Sequence, residues 1–237
     1  MKLSIIIPVF NEEKTILQIL EKLKKADIPV GYEIIVVDDG STDATASRIK
    51  NLELRIKNLK ILRHNINRGK GAAVKTGIKN ATGDYIIIQD ADLEYNPNQI
   101  KNLLKPILNE KAKIVYGTRL KRFPNLSKEE RTLQFLIHYL GNRFLSLITS
   151  ILYGQWITDM ETGYKLFPKK AVEKIKLNAK GFEFEPEITA KLMKKGYKIK
   201  EVSITANPRG YDEGKKLHTI RDGSKALWYL LKYRFIN

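Results

Sequence analysis

"YIIIQDADLEY" (residues 85–95) joins a run of three isoleucines to three carboxylates, Asp90, Asp92 and Glu94. The apolar run is typical of a strand that is buried on both faces of a parallel sheet. Several anions placed together cost free energy unless a cation shares them. If the chain stays extended after the strand, Asp90 and Asp92 point to the same side, where a divalent cation could join them to phosphate oxygens. An isolated Asp-x-Asp would more simply be a solvated turn, so the remaining sequence must decide between these interpretations.

Apolar runs of the same kind recur through the first half and alternate with helical spacing. Strands are predicted at 3–9, 32–40, 59–64, 84–89 and 112–117. Four helices are predicted between and after these strands. The first begins near Ile16, the second follows a cap at Ser41 and Thr42, the third covers 70–81, and the fourth begins at Pro97. This alternation predicts an α/β fold with a mostly parallel sheet, whose ligands bind at the carboxyl ends of the strands. Asp38 and Asp39 end a second strand, so two acidic strand ends build one site, and the cation interpretation is favoured.

The second half continues with longer helices. A helix over 131–153 carries an apolar stripe, and a strand at 162–168, a helix at 185–196 and an alternating edge strand at 197–205 follow. An amphipathic helix over 219–235 closes the chain. Because no domain boundary or repeat interrupts the pattern, residues 1–237 are predicted to form a single domain, with C-terminal amphipathic helices flanking the sheet.

Composition limits the chemistry of the site. The chain has no cysteine, which excludes disulfides and thiolate ligands, and its three histidines are scattered. Carboxylate oxygens are therefore the expected metal ligands, and they suit Mg²⁺ or Mn²⁺. The net charge of +17 indicates an anionic partner, namely nucleic acid, a phosphorylated substrate or an acidic membrane surface. A lysine-rich, heat-adapted surface without a specific ligand is the simpler explanation for most single lysines.

Two sequence features bear on the membrane. The N-terminus turns polar at Asn11 before a signal peptide can form, which predicts a cytoplasmic protein. The apolar stretch at 135–154 is interrupted by His138, Asn142 and Arg143, so we expect it not to span the bilayer.

Two further motifs flank the acidic strand ends. "PVFNEE" (8–13) places Asn11 and Glu12 at a probable helix start, where they either bind a nucleobase or cap the helix. "NRGKGAAVKTG" (67–77) sets glycines and cations before a helix of small residues, which suits a base or phosphate at the helix N-terminus.

Taken together, these segments resemble the nucleotide-sugar-dependent glycosyltransferases of family two, which have the GT-A fold. The resemblance runs through "SIIIPVFNEE", "EIIVVDDGSTD", "NRGKGAAVKTGIKNATGDYIIIQDADLEY", "YGTR", "TDMETGYKLF", "GFEFEPEITAKL" and "NPRGYDEGKK". Within the family, the chain is most similar to the synthases that load mannose or glucose onto dolichyl or other polyprenyl phosphates. The resemblance implies a nucleotide-sugar-binding half at 1–117 and an acceptor-binding half at 118–237.

The resemblance also implies roles for individual residues. The nucleotide contacts it implies are Pro8, Asn11, Glu12, Asp38, Asp39 and Lys70. Asp90, Asp92 and Glu94 would bind the metal and the donor diphosphate, although relatives often have Gln where this chain has Glu94. Arg119 and Arg131 match positions that hold the acceptor phosphate, and Arg209 matches a cation near the reaction centre.

The resemblance leaves two questions open, namely the role of two carboxylates and the acceptor. Asp159 and Glu161 in "TDMETGY" would either serve as a general base toward a sugar hydroxyl or only position arginines. The expected activity is inverting transfer of a hexose from GDP-mannose or UDP-glucose to a polyprenyl phosphate, at the membrane surface or beside a membrane-protein partner. A glycan hydroxyl is the alternative acceptor. A nucleic-acid-binding module is not expected, because acidic strand ends would repel phosphate without a metal.

Overall fold

The computed structural model describes residues 1–50, 52, 56–120, 133–207 and 219–236. Seven strands form one sheet in the order β3-β2-β1-β4-β6-β5-β7. The strands are β1 (Lys2–Val9), β2 (Gly31–Asp38), β3 (Leu59–Arg63), β4 (Tyr85–Ile88), β5 (Ile114–Thr118), β6 (Lys165–Pro168) and β7 (Ile199–Ser203). The helices are α1 (Ile16–Lys25), α2 (Thr45–Ile49), α3 (Lys70–Asn80), α4 (Ile100–Leu108), α5 (Leu133–Tyr153), α6 (Lys169–Glu173), α7 (Phe184–Lys194) and α8 (Thr219–Phe235).

The predicted mostly parallel α/β sheet is confirmed. β1 pairs in parallel with β2 and β4, β2 with β3, and β5 with β7. The exception is β6, which lies between β4 and β5 and is antiparallel to both. The alternating strand at 197–205 is confirmed as β7, at one edge of the sheet.

The sheet is buried on both faces because its central strands carry apolar side chains on both faces. Ile5 and Ile7 of β1 belong to one core cluster, with α1 and α4, whereas Ile6 belongs to a second, with Ala73 and Val74 of α3. Successive side chains of a strand point to opposite faces, so a run of isoleucines supplies both clusters. The carboxyl ends of the parallel strands β1, β2 and β4 lie side by side, and the edge of the sheet that they form is the one that carries the acidic residues.

The predicted cap of the second helix is wrong. α2 begins at Thr45, and Ser41 and Thr42 lie before it, where both contact Asn11. Its N-cap residue is Ala44, whose N–H donates to the Glu13 carboxylate at 3.0 Å. The polar residues after β2 therefore join two loops instead of starting a helix. By contrast, Pro97 does open a helical segment, as the first residue of a 3-10 turn that leads into α4.

α5 buries several polar side chains and exposes most of its large apolar ones, although Leu145 is buried. Asn142, Ser146, Thr149 and Ser150 are buried, and the three hydroxyls donate to carbonyls one turn back in the helix. The predicted apolar stripe instead faces outward, and its exposed members are Ile137, Leu140, Phe144, Leu147 and Ile151. An ordinary core helix has the opposite arrangement.

Candidate active site

The acidic segment after β4 turns instead of continuing as a strand. Leu93 has a φ of 66°, and the N–H of Glu94 donates to Asp92 Oδ1 at 3.1 Å. The chain therefore does not stay extended from Asp90 to Asp92, which was the condition for both side chains to point the same way, because it turns at Asp92, whose side chain accepts this hydrogen bond. Buried Gln89 stabilises this turn, since its Nε2 donates to the carbonyls of Asp90 and Tyr95 at 3.1 and 3.3 Å.

Asp90 lies against a lysine and a glycine. Lys70 Nζ is 2.7 Å from Asp90 Oδ1 and 3.4 Å from Glu185 Oε1. Burial alone would lower the pKa of Lys70, but the charges of Asp90 and Glu185 outweigh it and raise this pKa above its ordinary value. On the other side, a Cβ atom at Gly163 would clash with Asp90 Oδ2, so a larger residue there would displace this carboxylate.

Asp92 is in an unfavourable environment for an anion. Burial, followed by the charges of Asp90 and Glu94, raises its pKa to about 7. A divalent cation would relieve this repulsion, and two carboxylates completed by phosphate oxygens and water are a common set of ligands for Mg²⁺. No three carboxylates or histidines converge on one point in the described ranges. Asp90 and Asp92 thus fit a metal whose remaining ligands are phosphate oxygens and water, and ligation by Glu94 stays a prediction.

The loop after β1 is joined to the loop after β2. Asn11, at a φ of 51°, accepts from the N–H of Thr42 at 2.8 Å and donates its own N–H to Ser41 Oγ at 2.9 Å. The N–H of Glu12 donates to Thr45 Oγ1 at 2.8 Å. Pro8 pairs with Val37 in the adjacent strand register. These contacts fix the edge of the sheet where the nucleotide was predicted, and the nucleotide contacts of Pro8, Asn11 and Glu12 stay predictions.

Asp38 and Asp39 are buried and are engaged by their own surroundings. Asp38 Oδ1 accepts from the N–H of Ser41 at 2.9 Å, and its other oxygen lies 3.2 Å from Arg63 Nε. Asp39 accepts from the N–H groups of Arg68 and Gly69 and contacts His64 Nδ1 at 2.6 Å. Asp39 therefore fixes the loop that leads to Lys70, and direct nucleotide contacts by this pair stay predictions.

The start of α3 is partly occupied by the 180–181 loop. The N–H groups of Gly71 and Ala72 donate to the carbonyls of Gly181 and Lys180, at 3.2 and 3.0 Å. These two donors are therefore taken, and a base or phosphate contact at this helix N-terminus stays a prediction. The ammonium group of Lys70 is what this segment contributes to the site.

Arg119 is bound to Asp159 through two parallel contacts. Its Nε and Nη2 donate to Asp159 Oδ2 and Oδ1, both at 2.8 Å, and its backbone N–H donates to Oδ2 at 2.9 Å. Asp159 is fully buried, and the guanidinium carbon lies 5.9 Å from the Tyr95 ring centre, beside the acidic turn. Burial would lower the pKa of Arg119, but Asp159 dominates and raises it. The contact supports the alternative in which Asp159 positions an arginine.

Glu161 differs from Asp159 in its surroundings. Its Oε1 atom is out of reach of solvent and has no hydrogen-bond partner within the described part of the chain. Burial raises the pKa of Glu161 to about 7, partly offset by the charges of Lys165 and Arg119. A carboxyl group with this pKa can accept a proton near neutral pH. The other two predicted arginines, Arg131 and Arg209, lie outside the described residues.

Sequence reasoning missed several residues that shape the site. Glu185 and Lys165 form a buried ion pair at 2.8 Å, and Tyr164 donates to Gln89 and stacks on Tyr95 with ring centres 4.7 Å apart. Gln89 and Tyr95 border the acidic turn, whereas Tyr164, Lys165 and Glu185 lie far from it along the chain. These three belong to segments that carry the family resemblance, but the resemblance gave them no role. Only the fold brings them together.

An exposed apolar surface lies on the two long helices, which pack on each other. The outward side chains of α5 are joined by Trp228, Leu231 and Phe235 of α8, which are also exposed. Judged by length and composition alone, Phe135–Tyr153 could cross a membrane, and 28% of it is buried. The expectation that this helix does not span the bilayer stays a prediction.

Comparison with known proteins agrees with this geometry. The chain is 34% identical to the UDP-N-acetylglucosamine–dolichyl-phosphate N-acetylglucosaminyltransferase of Methanococcus voltae, covering 84% of this chain and 83% of that protein. It is 30% identical to the dolichol-phosphate mannosyltransferase of Pyrococcus furiosus, covering 98% of this chain but only 64% of that longer protein.

A solved structure shares the fold. Glucosyl-3-phosphoglycerate synthase from Mycobacterium tuberculosis, crystallised with UDP, matches with a TM-score of 0.71 at 20% identity, over 100% of this chain and 81% of that one. The same enzyme has also been crystallised with Mn²⁺ and UDP. The family model described as glycosyl transferase family 2 matches residues 4–176. The chain therefore belongs to glycosyl transferase family 2.

Proposed function

We propose that the chain transfers a hexose from a nucleotide sugar to a polyprenyl phosphate, with inversion at the anomeric carbon. The observation that carries this proposal is the acidic turn after β4, where Lys70 contacts Asp90 and the guanidinium group of Arg119 lies over Tyr95 at the end of the same turn. This arrangement suits a reaction between two phosphate-bearing substrates. The Methanococcus and Pyrococcus relatives are both named for dolichyl (dolichol) phosphate, and this supports the choice of acceptor.

On the donor side, Asp90 and Asp92 would hold Mg²⁺ or Mn²⁺ together with the diphosphate, and Glu94 is a candidate third ligand. The metal, when bound, neutralises the charge that develops on the leaving diphosphate. Lys70 adds a second positive charge at the same place. The edge formed by Pro8, Asn11 and Glu12, with Asp38 and Asp39 behind it, would receive the nucleoside.

On the acceptor side, Arg119 would bind the lipid phosphate, with Arg131 and Arg209 as further candidates from the sequence. A guanidinium group stays charged and binds oxygen pairs, so it can hold a phosphate without protonating it. Asp159 fixes the orientation of Arg119. One phosphate oxygen attacks the anomeric carbon, the bond from that carbon to the diphosphate oxygen breaks, and the nucleoside diphosphate leaves.

The exposed apolar surface of α5 and α8 would lie on the cytoplasmic face of a membrane, where the acceptor is found. Phe144 and Leu140 of α5 are 53% and 63% exposed, and α8 carries Arg221, Lys225 and Arg234. Apolar side chains beside basic ones suit an anionic lipid surface. The helix pair would rest on the bilayer without spanning it.

The direct test uses labelled UDP-glucose, UDP-N-acetylglucosamine and GDP-mannose, each incubated with polyprenyl phosphate and Mg²⁺ or Mn²⁺. Label should enter the organic extract with one of the donors, and EDTA should stop the transfer. The Asp92→Asn variant, which keeps the side chain's size, is the control. Label that stays in the aqueous phase with every donor would contradict the proposed acceptor.

A second candidate acceptor is a glycan hydroxyl. The observation that favours it is Glu161, whose pKa of about 7 suits a general base. A phosphate is already an anion and needs no base, whereas a hydroxyl does. Replacing polyprenyl phosphate by soluble glycans in the same assay distinguishes the two acceptors.

A further inference from the structure

Glu185 is a buried carboxylate to which the proposed reaction gives no role. It lies in the first turn of α7, and its side chain is only 4% exposed. Each oxygen faces a different lysine: Oε1 is 3.4 Å from Lys70 Nζ, and Oε2 is 2.8 Å from Lys165 Nζ. Burying a charged group costs desolvation free energy even when it has two partners of opposite sign. We therefore expect its function to lie in the groups that Glu185 contacts.

The two lysines belong to different parts of the site. Lys70 is the first residue of α3 and contacts Asp90. Lys165, on β6, is fully buried and donates to the carbonyls of Met160 and Thr162, which flank Glu161. Glu185 therefore connects the acidic turn after β4 with the 159–163 segment that carries the partner of Arg119.

Lys70 is shared by two carboxylates, of which the proposed reaction uses one. A divalent cation bound to Asp90 would repel the ammonium group of Lys70, because like charges that contact the same carboxylate repel each other strongly in a low-dielectric site. Glu185 is the second carboxylate in contact with Lys70 and is not a proposed metal ligand. It can keep the ammonium group in place once Asp90 is bound to a metal.

We propose that Glu185 is a positioning residue that holds Lys70 beside the donor diphosphate. This inference rests on the proposed use of a nucleotide diphosphate donor. It predicts that loss of the Glu185 charge weakens diphosphate binding, whereas electrostatic repulsion alone would predict tighter binding. Removing a carboxylate near an anionic ligand should tighten binding, whereas releasing Lys70 should weaken it.

The test is a double-mutant cycle with Glu185→Gln and Lys70→Met, and UDP and GDP are titrated by calorimetry with and without Mn²⁺. Glu185→Gln keeps the side chain's size and still offers Lys165 an oxygen. In the presence of Lys70 it should weaken binding of the diphosphate about 10-fold, the scale of one charge-assisted hydrogen bond. In the Lys70→Met background, it should leave binding unchanged or tighten it.

Steady-state transfer supplies a second readout. Glu185→Gln should raise KM for the sugar nucleotide and leave KM for polyprenyl phosphate unchanged, whereas a general loss of structure would affect both. Glu173→Gln removes one carboxylate from an exposed ion pair with Lys169 and is the matched control for net charge. If Glu185→Gln melts below the assay temperature, Glu185→Asp takes its place, because its shorter side chain also draws the carboxylate away from Lys70.

The outcomes separate the two proposals. Equal weakening in both backgrounds, or tighter binding in the presence of Lys70, would overturn the role of Glu185 while leaving the transfer reaction intact. The predicted change of sign without any transfer to polyprenyl phosphate would support Glu185 and contradict the acceptor. Failure of the wild-type protein to bind either diphosphate would overturn both the donor and the role of Glu185.

Discussion

Replacing Glu161 by Gln should stabilise the protein at alkaline pH and not at acid pH. The pKa of Glu161 is raised from 4.5 to about 7, mainly by burial. Between these two values the folded protein keeps a proton that the unfolded chain has lost, so the free energy of unfolding falls as the pH rises. Above pH 7 the full cost of ionisation is reached, and 2.5 pH units correspond to roughly 3 kcal/mol.

Gln cannot ionise, so the variant escapes this cost. Its amide group brings its own hydrogen-bonding demand, but that contribution does not change with pH. The free energy of unfolding of Glu161→Gln, relative to the wild type, should therefore increase by about 3 kcal/mol from pH 4 to pH 8. For a chain of this length, this is a relative gain of roughly 6–12 °C in Tm.

Urea and thermal unfolding followed by circular dichroism at pH 4, 6 and 8 measure this difference. Glu173→Gln again reports the effect of losing a carboxylate from an exposed ion pair. A difference between Glu161→Gln and the wild type that is constant across the three pH values would refute the reasoning. It would mean that water or a cation reaches Glu161 in solution.

Four further predictions concern the reaction and its surface. Glu161→Gln should keep kcat within a few-fold if the acceptor is a lipid phosphate, and a loss of about 100-fold would instead indicate a general base, as a hydroxyl acceptor requires. Mg²⁺ with UDP or GDP should raise Tm more at pH 8 than at pH 6, because the Asp92 pKa of about 7 makes protons compete with the metal. Asp92→Asn should abolish this rise in Tm, and full activity in EDTA would count against a metal at Asp92. Arg119→Ala should lower use of polyprenyl phosphate at least about 10-fold and leave donor affinity nearly unchanged, since one charge-assisted contact is lost; the reverse pattern would show that Arg119 serves the donor. Sedimentation with anionic vesicles should fall when Leu140 and Phe144 are both replaced by Ser, and wild-type protein that stays in the supernatant at low and high salt would contradict the proposed surface.

The architecture was predictable because its signals are local. A run such as Ile5–Ile7 or Ile86–Ile88 can be satisfied only inside a sheet covered on both faces, so the strands and their parallel pairing followed from the sequence. The two acidic strand ends were likewise correctly placed at one edge of the sheet. Such inferences need only a few neighbouring residues and the handedness of the crossovers.

The sequence was a poorer guide where polar groups bond to remote parts of the chain. Ser41 and Thr42 have the composition of a helix cap, yet Asn11, in another loop, takes their hydrogen bonds. The start of α3 resembles a phosphate site, but the carbonyls of Lys180 and Gly181 occupy two of its donors. Short-range patterns show what a segment can do alone, and they do not show which remote partner competes for it.

The position of β6 has a consequence for how the chain is made. β4 and β5 come from the first half of the sequence, but the strand between them, β6, comes from the second half. A ribosome releases Tyr85–Ile88 and Ile114–Thr118 well before Lys165–Pro168, so during synthesis the backbone N–H and C=O groups along one edge of each strand have no partner until β6 appears. Unpaired edges of this kind invite association between nascent chains. Slow translation between the two halves would lengthen this exposure, and a chaperone that covers the open edge would be of most use to this protein before it leaves the ribosome.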